Sequence, residues 1–267
     1  MPKKLKITLS NSQRISNAKN SRLEVLKCLR NELQNKSFLK NINITIYEFY
    51  ILLTNAYLND LIIDSYFELI LKYASKERDL NVYAFNATFY AIIKNFVSAS
   101  DFDKLVQDSF KHLKLDIFTY DLVIWPVCEA KHWIFVVFDG KSSELQIWNS
   151  KNLLHQDGKG FIVNDKPESF SKFSSWSQIT AIPIIKYIYA QYRRIEVKQK
   201  SLAIVLKHSQ TQPNEYDCGV FVCMFARHII NKDSREFKIE NLFDWRTKIL
   251  FQLIHGEILY DIDHIFE

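Results

Sequence analysis

The sequence predicts an α+β chain whose N-terminal half is helical. Three observations lead there. Apolar residues recur at helical spacing in stretches from Leu23 to about residue 113 of 267. Between Leu122 and Trp148 the period changes to short β-rich apolar runs. A short strand-like run at Leu202–Lys207 is then followed by Gly219–Ile230, strongly apolar and too long for a strand, which reads as a buried helix.

The elements follow in order. Residues 1–20 are polar and basic and read as an arm, and Leu23, Val25, Leu26, Leu29 and Leu33 then mark a helix to about Leu39. Thr45-Ile46-Tyr47-Glu48 has the form of a capping box, predicting a helix to about Thr54. Asn59 or Asp60 can cap a second helix over Leu61–Ser75, with Ile62, Ile63, Tyr66, Phe67, Leu69 and Ile70 apolar. Residues 82–97 and 101–113 are expected to be helices. Leu122–Val127, Trp133–Phe138 and Leu145–Trp148 are expected strands, the last two joined through Asp139-Gly140-Lys141-Ser142 as a hairpin. Residues 150–178 suggest a long loop or insertion, Ile179–Tyr192 a helix, and Phe237–Leu259 a closing helical region. The domain division expected is a basic arm and helix over 1–40 and one folded domain over 41–267.

Composition removes several function classes. The five glycines (Gly140, Gly158, Gly160, Gly219, Gly256) cannot build a phosphate-cradling loop, which argues against nucleotide binders. Of 35 basic and 30 acidic residues, 1–30 hold eight basic and one acidic, leaving 27 against 29 in the remainder. The positive excess therefore belongs to the arm, and no nucleic-acid partner is expected of the body. Cys28, Cys128, Cys218 and Cys223 do not form a disulfide scaffold. Without an apolar stretch after Met1–Lys6 or a run long enough to span a membrane, a soluble protein of a reducing compartment is expected.

The chemistry gathers around one thiol. Cys218 lies between the polar Gln212–Asp217 turn and the apolar helix, and a helix N-terminus favours thiolate. Cys223 and Cys28 read as packing residues, and Cys128 as a loop thiol with no assigned role. His132 opens a strand. With Asp139–Ser142 as the turn, Phe138 faces Ser143 and His132 faces Asn149 on the same side of the hairpin. An imidazole beside a carboxamide is a base and its orienter, which a cysteine nucleophile needs. Gln212 can donate to an oxyanion together with the Cys218 backbone N–H.

At this point the chain resembles the ubiquitin-like-protein-specific (SUMO or sentrin) cysteine proteases. Tyr57-Leu58-Asn59-Asp60-Leu61-Ile62 is similar to that family's Trp-Leu-Asn-Asp-x-Ile segment, and Tyr83 to Tyr90 to its His-Ala-Phe-Asn-Thr-Phe-Phe-Phe type of run. His132-Trp133 matches its catalytic His-Trp, and Asn149-Ser150 falls where it has Asp-Ser. Gln212 to Gly219 matches its Gln-x-x-x-x-Asp-Cys-Gly, and Arg246 to Leu253 resembles its C-terminal helix. The likeness covers about residues 44–260. It implies a papain-like ubiquitin-like-protease fold, a central mixed β-sheet flanked by helices, that cleaves after a diglycine tail. It also implies catalytic roles for Cys218, His132, Asn149 and Gln212, and substrate binding by Tyr57, Trp133 and Asp60. In this reading Tyr57 and Trp133 cover a channel that admits only glycines, and Asp60 meets a basic residue of the modifier.

Asn149 departs from the family's Asp. In a serine triad, Asp→Asn costs about 10⁴ in rate, whereas papain-like enzymes work with Cys-His-Asn. An active thiol isopeptidase is expected, with a thiolate–imidazolium pair and Asn149 accepting from the ring; Asp139 in the turn is read as structural. The expected partner is a ubiquitin-like modifier and its conjugates. SUMO comes first; a deubiquitinase or deneddylase delivered by a bacterium into a host cell is the alternative. Other classes weighed are a modifier-binding pseudoenzyme, permitted by Asn149, and an acetyltransferase on the same scaffold. A zinc site from Cys128, His132, Cys218, Cys223 and His228 fits no compact module. No cofactor or metal is expected, and the expected location is the nucleus or cytoplasm, or the host cytoplasm for an effector.

Overall fold

The computed structural model describes residues 44–96, 98–113, 115–151, 161–163, 176–194, 202–207, 209–231 and 242–258. The expected arm and helix of 1–40, with Cys28, lie outside these residues. So do 152–160 and 164–175, most of the expected insertion.

Helix α1 (Ile46–Leu53) starts at the predicted capping box: Thr45 N–H donates to Glu48 Oε2 at 2.8 Å, and the Thr45 side chain accepts from Tyr47 N–H. Helix α2 (Asp60–Arg78) is capped by Asn59, whose Oδ1 accepts from Ile62 N–H at 3.1 Å. It buries Ile62, Ile63, Tyr66, Phe67, Ile70, Tyr73 and Ala74, one helical stripe. It ends on Asp79 in the left-handed region, φ 49°.

Residues 82–97 depart from the predicted helix. Val82–Ala84 form strand β1, and only Ala87–Ile93 are helical (α3), with Asn86 as N-cap. The reason is a period of two. Val82 and Ala84 pack on one face of the sheet, Tyr83 and Phe85 on the other. Helix α4 (Ala99–Leu113) comes next, then strands β2 (Leu122–Glu129), β3 (His132–Asp139) and β4 (Glu144–Trp148). Within the expected insertion, Phe161–Val163 form strand β5 and helix α5 (Trp176–Arg194) begins earlier than predicted. Strand β6 (Leu202–Lys207), helix α6 (Cys218–Asn231) and helix α7 (Leu242–His255) complete the order.

The sheet is mixed, ordered β1-β2-β3-β4-β6-β5, with β1 parallel to β2 and β4 parallel to β6. Strand β3 is buried on both faces, which is why its sequence reads as an unbroken apolar run. Trp133, Phe135 and Val137 pack toward α1, α2, α6 and α7. Ile134, Val136 and Phe138 pack on the opposite face with residues of α3, α4 and α5.

The β3–β4 hairpin has a different register from the one predicted. Asp139 pairs with Glu144 and Phe138 with Leu145, a slide of two residues. Asp139 stays in the strand and its Oδ1 accepts from Lys141 N–H at 2.9 Å and Ser142 N–H at 3.2 Å, while Ser143 closes the turn with φ 53°. An even slide keeps every side chain on its predicted face. Asp139 is thus the structural turn residue the sequence suggested.

Candidate active site

Strands β4 and β6 run parallel and end level, with Trp148 opposite Lys207. The chain leaving β4 at 149–150 therefore runs beside the chain leaving β6 at 209–212. Ser209 Oγ donates to the Asn149 carbonyl at 2.7 Å, and Gln212 N–H to the Ser150 carbonyl at 2.7 Å. Next to them stands the first residue of β3, His132. It follows a two-residue turn in which Ala130 (φ 49°) and Lys131 (φ 63°) both take left-handed conformations between paired Glu129 and His132. That is the geometry of a tight hairpin turn, made here without the usual Asn-Gly.

His132 is buried, and its Nε2 lies 2.8 Å from Asn149 Oδ1. The same Oδ1 accepts from Lys151 N–H at 2.9 Å. A backbone N–H can only donate, so this side of the amide is oxygen, and His132 Nε2 must carry the proton it shares with it. The amide and imidazole predicted to be neighbours are so, despite the shifted register.

Cys218 is the first residue of α6 and fully buried. Burial pushes its thiol above the ordinary cysteine value. Hydrogen bonds from the Trp133 and Gly219 backbone and the charge of Lys151 pull the other way without cancelling the rise. The sequence points to a thiol lowered by a helix N-terminus; in the fold burial acts in the opposite direction and exceeds the opposing backbone and Lys151 contributions. Burial also lowers His132; Asn149 opposes this and Lys151 adds to it. Both shifts disfavour the charged pair expected from sequence. The half-buried Cys128 lies on β2 rather than in a loop, its thiol pushed up to about 11 by burial and then by Cys218.

The turn before Cys218 is tied from below. Asn214 Oδ1 accepts from Tyr216 N–H and Asp217 N–H, and its Nδ2 donates to Asp217 Oδ2 at 2.6 Å. Arg246 of α7, buried, donates from Nε to Asp217 Oδ1 at 2.6 Å. Its other nitrogens reach the carbonyls of Ile51 at 3.1 Å and Ala56 at 2.8 Å. Arg246 thus joins the Cys218 turn to the segment that leads into Tyr57. Gln212 Nε2 donates to Asn214 O at 2.5 Å, and its Oε1 accepts from Ser150 Oγ at 2.6 Å.

Of the predicted substrate-binding residues, Trp133 is buried and donates from Nε1 to the Leu58 carbonyl at 2.9 Å. That bond docks the Tyr57–Asp60 segment against β3. Tyr57 is 44% exposed, and Asp60 is exposed at the start of α2. Gly219 explains the Cys-Gly pair: a Cβ there would stand 2.8 Å from Leu58 Cβ. Sequence reasoning missed the Ala130–Lys131 turn, Ser150 as a partner of Gln212, and Arg246 as the anchor of Asp217. Among the described residues no group of three or more His, Cys, Asp or Glu side chains could hold a metal ion. No helix among them is long and apolar enough to cross a membrane.

With this geometry in hand, comparison with known proteins decides the family. Residues 56–252 match the Ulp1 protease family, C-terminal catalytic domain. The chain belongs to that family. It is a cysteine protease with an α+β fold of that type. A sentrin-specific protease of Caenorhabditis elegans is 25% identical over 222 residues, covering 77% of this chain and 26% of the relative. Sentrin-specific protease 2 of Mus musculus is 22% identical over 205 residues, covering 76% and 31%. The chain thus spans between a quarter and a third of the length of these relatives. Among solved structures, the SUMO protease Ulp1 with its catalytic cysteine oxidized to a sulfinic acid aligns with a TM-score of 0.62 at 19% identity, covering 92% of this chain and 99% of the other. The C-terminal Ulp1 protease domain in complex with Smt3, the yeast ortholog of SUMO, aligns with a TM-score of 0.58 at 22% identity, covering 81% and 85%. At these identities the structures establish the fold.

Proposed function

We propose that this cysteine protease is a thiol isopeptidase that cleaves after the C-terminal diglycine of a ubiquitin-like modifier, SUMO before ubiquitin or the neddylation modifier. The observation that carries the reading is the His132 Nε2–Asn149 Oδ1 contact at 2.8 Å, on the strand whose next residue, Trp133, offers its backbone toward the buried Cys218 thiol. The sentrin-specific proteases among its relatives, and the Ulp1 domain bound to the yeast SUMO, support the choice of modifier.

Since burial holds both groups toward neutrality, the thiol gives its proton to His132 Nδ1 as the sulfur attacks the glycine carbonyl. Asn149 keeps Nε2 protonated and aimed, so Nδ1 is the basic nitrogen. The oxyanion is met by the Cys218 backbone N–H and by Gln212 Nε2, whose amide has a second N–H beyond the one given to Asn214. His132 returns the proton to the leaving lysine amine, and water then hydrolyses the thioester. Tyr57 and Trp133 wall the glycine channel, which side chains bearing a Cβ cannot enter, and Asp60 meets a basic residue of the modifier. The free thiols suit an intracellular reducing compartment, nucleus or cytoplasm.

Cleavage of a SUMO precursor and of a SUMO–lysine conjugate by the wild type, Asn149→Asp and Cys218→Ala tests this reading. It predicts turnover by the wild type that Cys218→Ala abolishes. Modifier binding without turnover by the wild type, restored by Asn149→Asp, identifies a pseudoenzyme and overturns it.

A further inference from the structure

Two neighbouring residues at the end of β4 each meet an amide or ring of the site. Asn149 holds His132, and Ser150 holds Gln212. Ser150 is 1% exposed and Gln212 7%. Their contact is reciprocal: Ser150 Oγ meets Gln212 Oε1 at 2.6 Å, while Gln212 N–H donates to the Ser150 carbonyl at 2.7 Å.

The direction of the Gln212 amide follows from its partners. The Asn214 carbonyl, 2.5 Å from Nε2, can only accept, so the NH₂ faces it. The amide oxygen then faces Ser150, and the hydroxyl donates. The final torsion of a glutamine is broad and nearly two-fold, so an amide without such partners exchanges N and O cheaply. In an oxyanion hole that exchange replaces a donor by an acceptor facing negative charge.

We propose that Ser150 is a positioning residue for the reaction: its hydroxyl on Oε1, together with the Asn214 carbonyl on Nε2, holds the Gln212 amide so that N–H, and not C=O, faces the developing oxyanion. The inference rests on the reading of Gln212 as an oxyanion donor. It makes the Asn149-Ser150 dipeptide the common support of the base and of the oxyanion site.

The test uses the full chain and two reagents. One is SUMO ending in a glycine aldehyde, whose hemithioacetal with Cys218 sets an oxygen at the oxyanion position. The other is SUMO ending in diglycine, bound to the Cys218→Ala form. Loss of one net hydrogen bond predicts that Ser150→Ala weakens aldehyde binding, and lowers kcat, about fivefold. Diglycine affinity and KM stay within about twofold. Ser150→Thr, which keeps the hydroxyl, retains wild-type aldehyde affinity, and Ser150→Ala adds no further loss to Gln212→Ala. Equal weakening of both reagents by Ser150→Ala marks a purely structural role and overturns the proposal. Wild-type aldehyde affinity in Ser150→Ala, with loss in Gln212→Ala, overturns it while leaving the oxyanion reading standing. Unchanged aldehyde affinity in Gln212→Ala removes that reading and the proposal together.

Discussion

Arg246 Nε lies 2.6 Å from Asp217 Oδ1, and only 2% and 3% of the two side chains is exposed. The pair sits one residue from the candidate nucleophile and reaches the Ala56 carbonyl, one residue from Tyr57. Removing one partner of a buried ion pair leaves an uncompensated charge and costs about 3–5 kcal/mol. Arg246→Ala is therefore expected to lower the melting temperature by about 10 °C and to reduce modifier cleavage. Thermal denaturation followed by circular dichroism checks this. A variant as stable as the wild type contradicts the anchoring role.

Gly219 is required by a close approach. A Cβ there would meet Leu58 Cβ at 2.8 Å, Cγ at 3.2 Å and Cδ1 at 3.3 Å. Overpacking of this kind costs about 1–3 kcal/mol. It also pushes on the residue whose carbonyl holds Trp133. Gly219→Ala is expected to lose more activity than stability, with kcat/KM down at least about tenfold. Leu58→Ala keeps the Cβ and is not expected to restore it. The check is kcat/KM beside chemical denaturation of the single and double variants.

The pH behaviour follows from burial of both reacting groups. Cys218 is raised by desolvation, against the backbone of Trp133 and Gly219 and the charge of Lys151. His132 is lowered by desolvation, with Asn149 opposing and Lys151 assisting. The free enzyme near neutrality is therefore expected to hold a thiol and a neutral imidazole. Alkylation of Cys218 by iodoacetamide should climb through alkaline pH, with its midpoint above that of free cysteine. The acid limb of kcat/KM should fall below the ordinary histidine value. Lys151→Ala removes a charge that lowers both groups, so both limbs should move up. A flat alkylation rate from acid to neutral pH would mean a preformed thiolate–imidazolium pair.

Asn149 is expected to orient rather than to charge the site. Its Oδ1 serves both His132 Nε2 and Lys151 N–H, while its buried Nδ2 has no hydrogen-bond partner. Asn149→Ala loses the ring contact and should lower kcat/KM about tenfold. Asn149→Asp brings a negative charge to the imidazole, which raises the histidine and favours the ion pair. Alkylation of Cys218 at neutral pH should then be faster than in the wild type. Titration of the two variants against the parent separates these effects. An alkylation rate unchanged in Asn149→Asp argues against the contact.

Much of this arrangement was legible in the residues. The capping box at Thr45–Glu48, the Asn59 cap and the apolar stripe of α2 follow from local spacing and appear as predicted. His132 and Asn149 could be paired from a hairpin count because strand parity survives an even slide. Val82–Ala84 were misread because aromatic residues around them fit two periods, and only the parallel pairing with Leu122–Ile124 decides. At Cys218 the helix end that favours thiolate is visible in sequence, whereas the burial that raises the thiol is not. Arg246 and Ser150 gave no local signal, since their partners lie 29 and 62 positions away.

The central claim is that Cys218, activated by His132, attacks the carbonyl at the end of a ubiquitin-like modifier. The most direct measurement is intact-mass analysis after incubation with SUMO, ubiquitin and the neddylation modifier, each carrying a C-terminal electrophile. The account predicts a one-to-one adduct with SUMO at Cys218, absent in Cys218→Ala and slowed in His132→Ala. No adduct with any of the three, or an adduct that persists in Cys218→Ala, contradicts it.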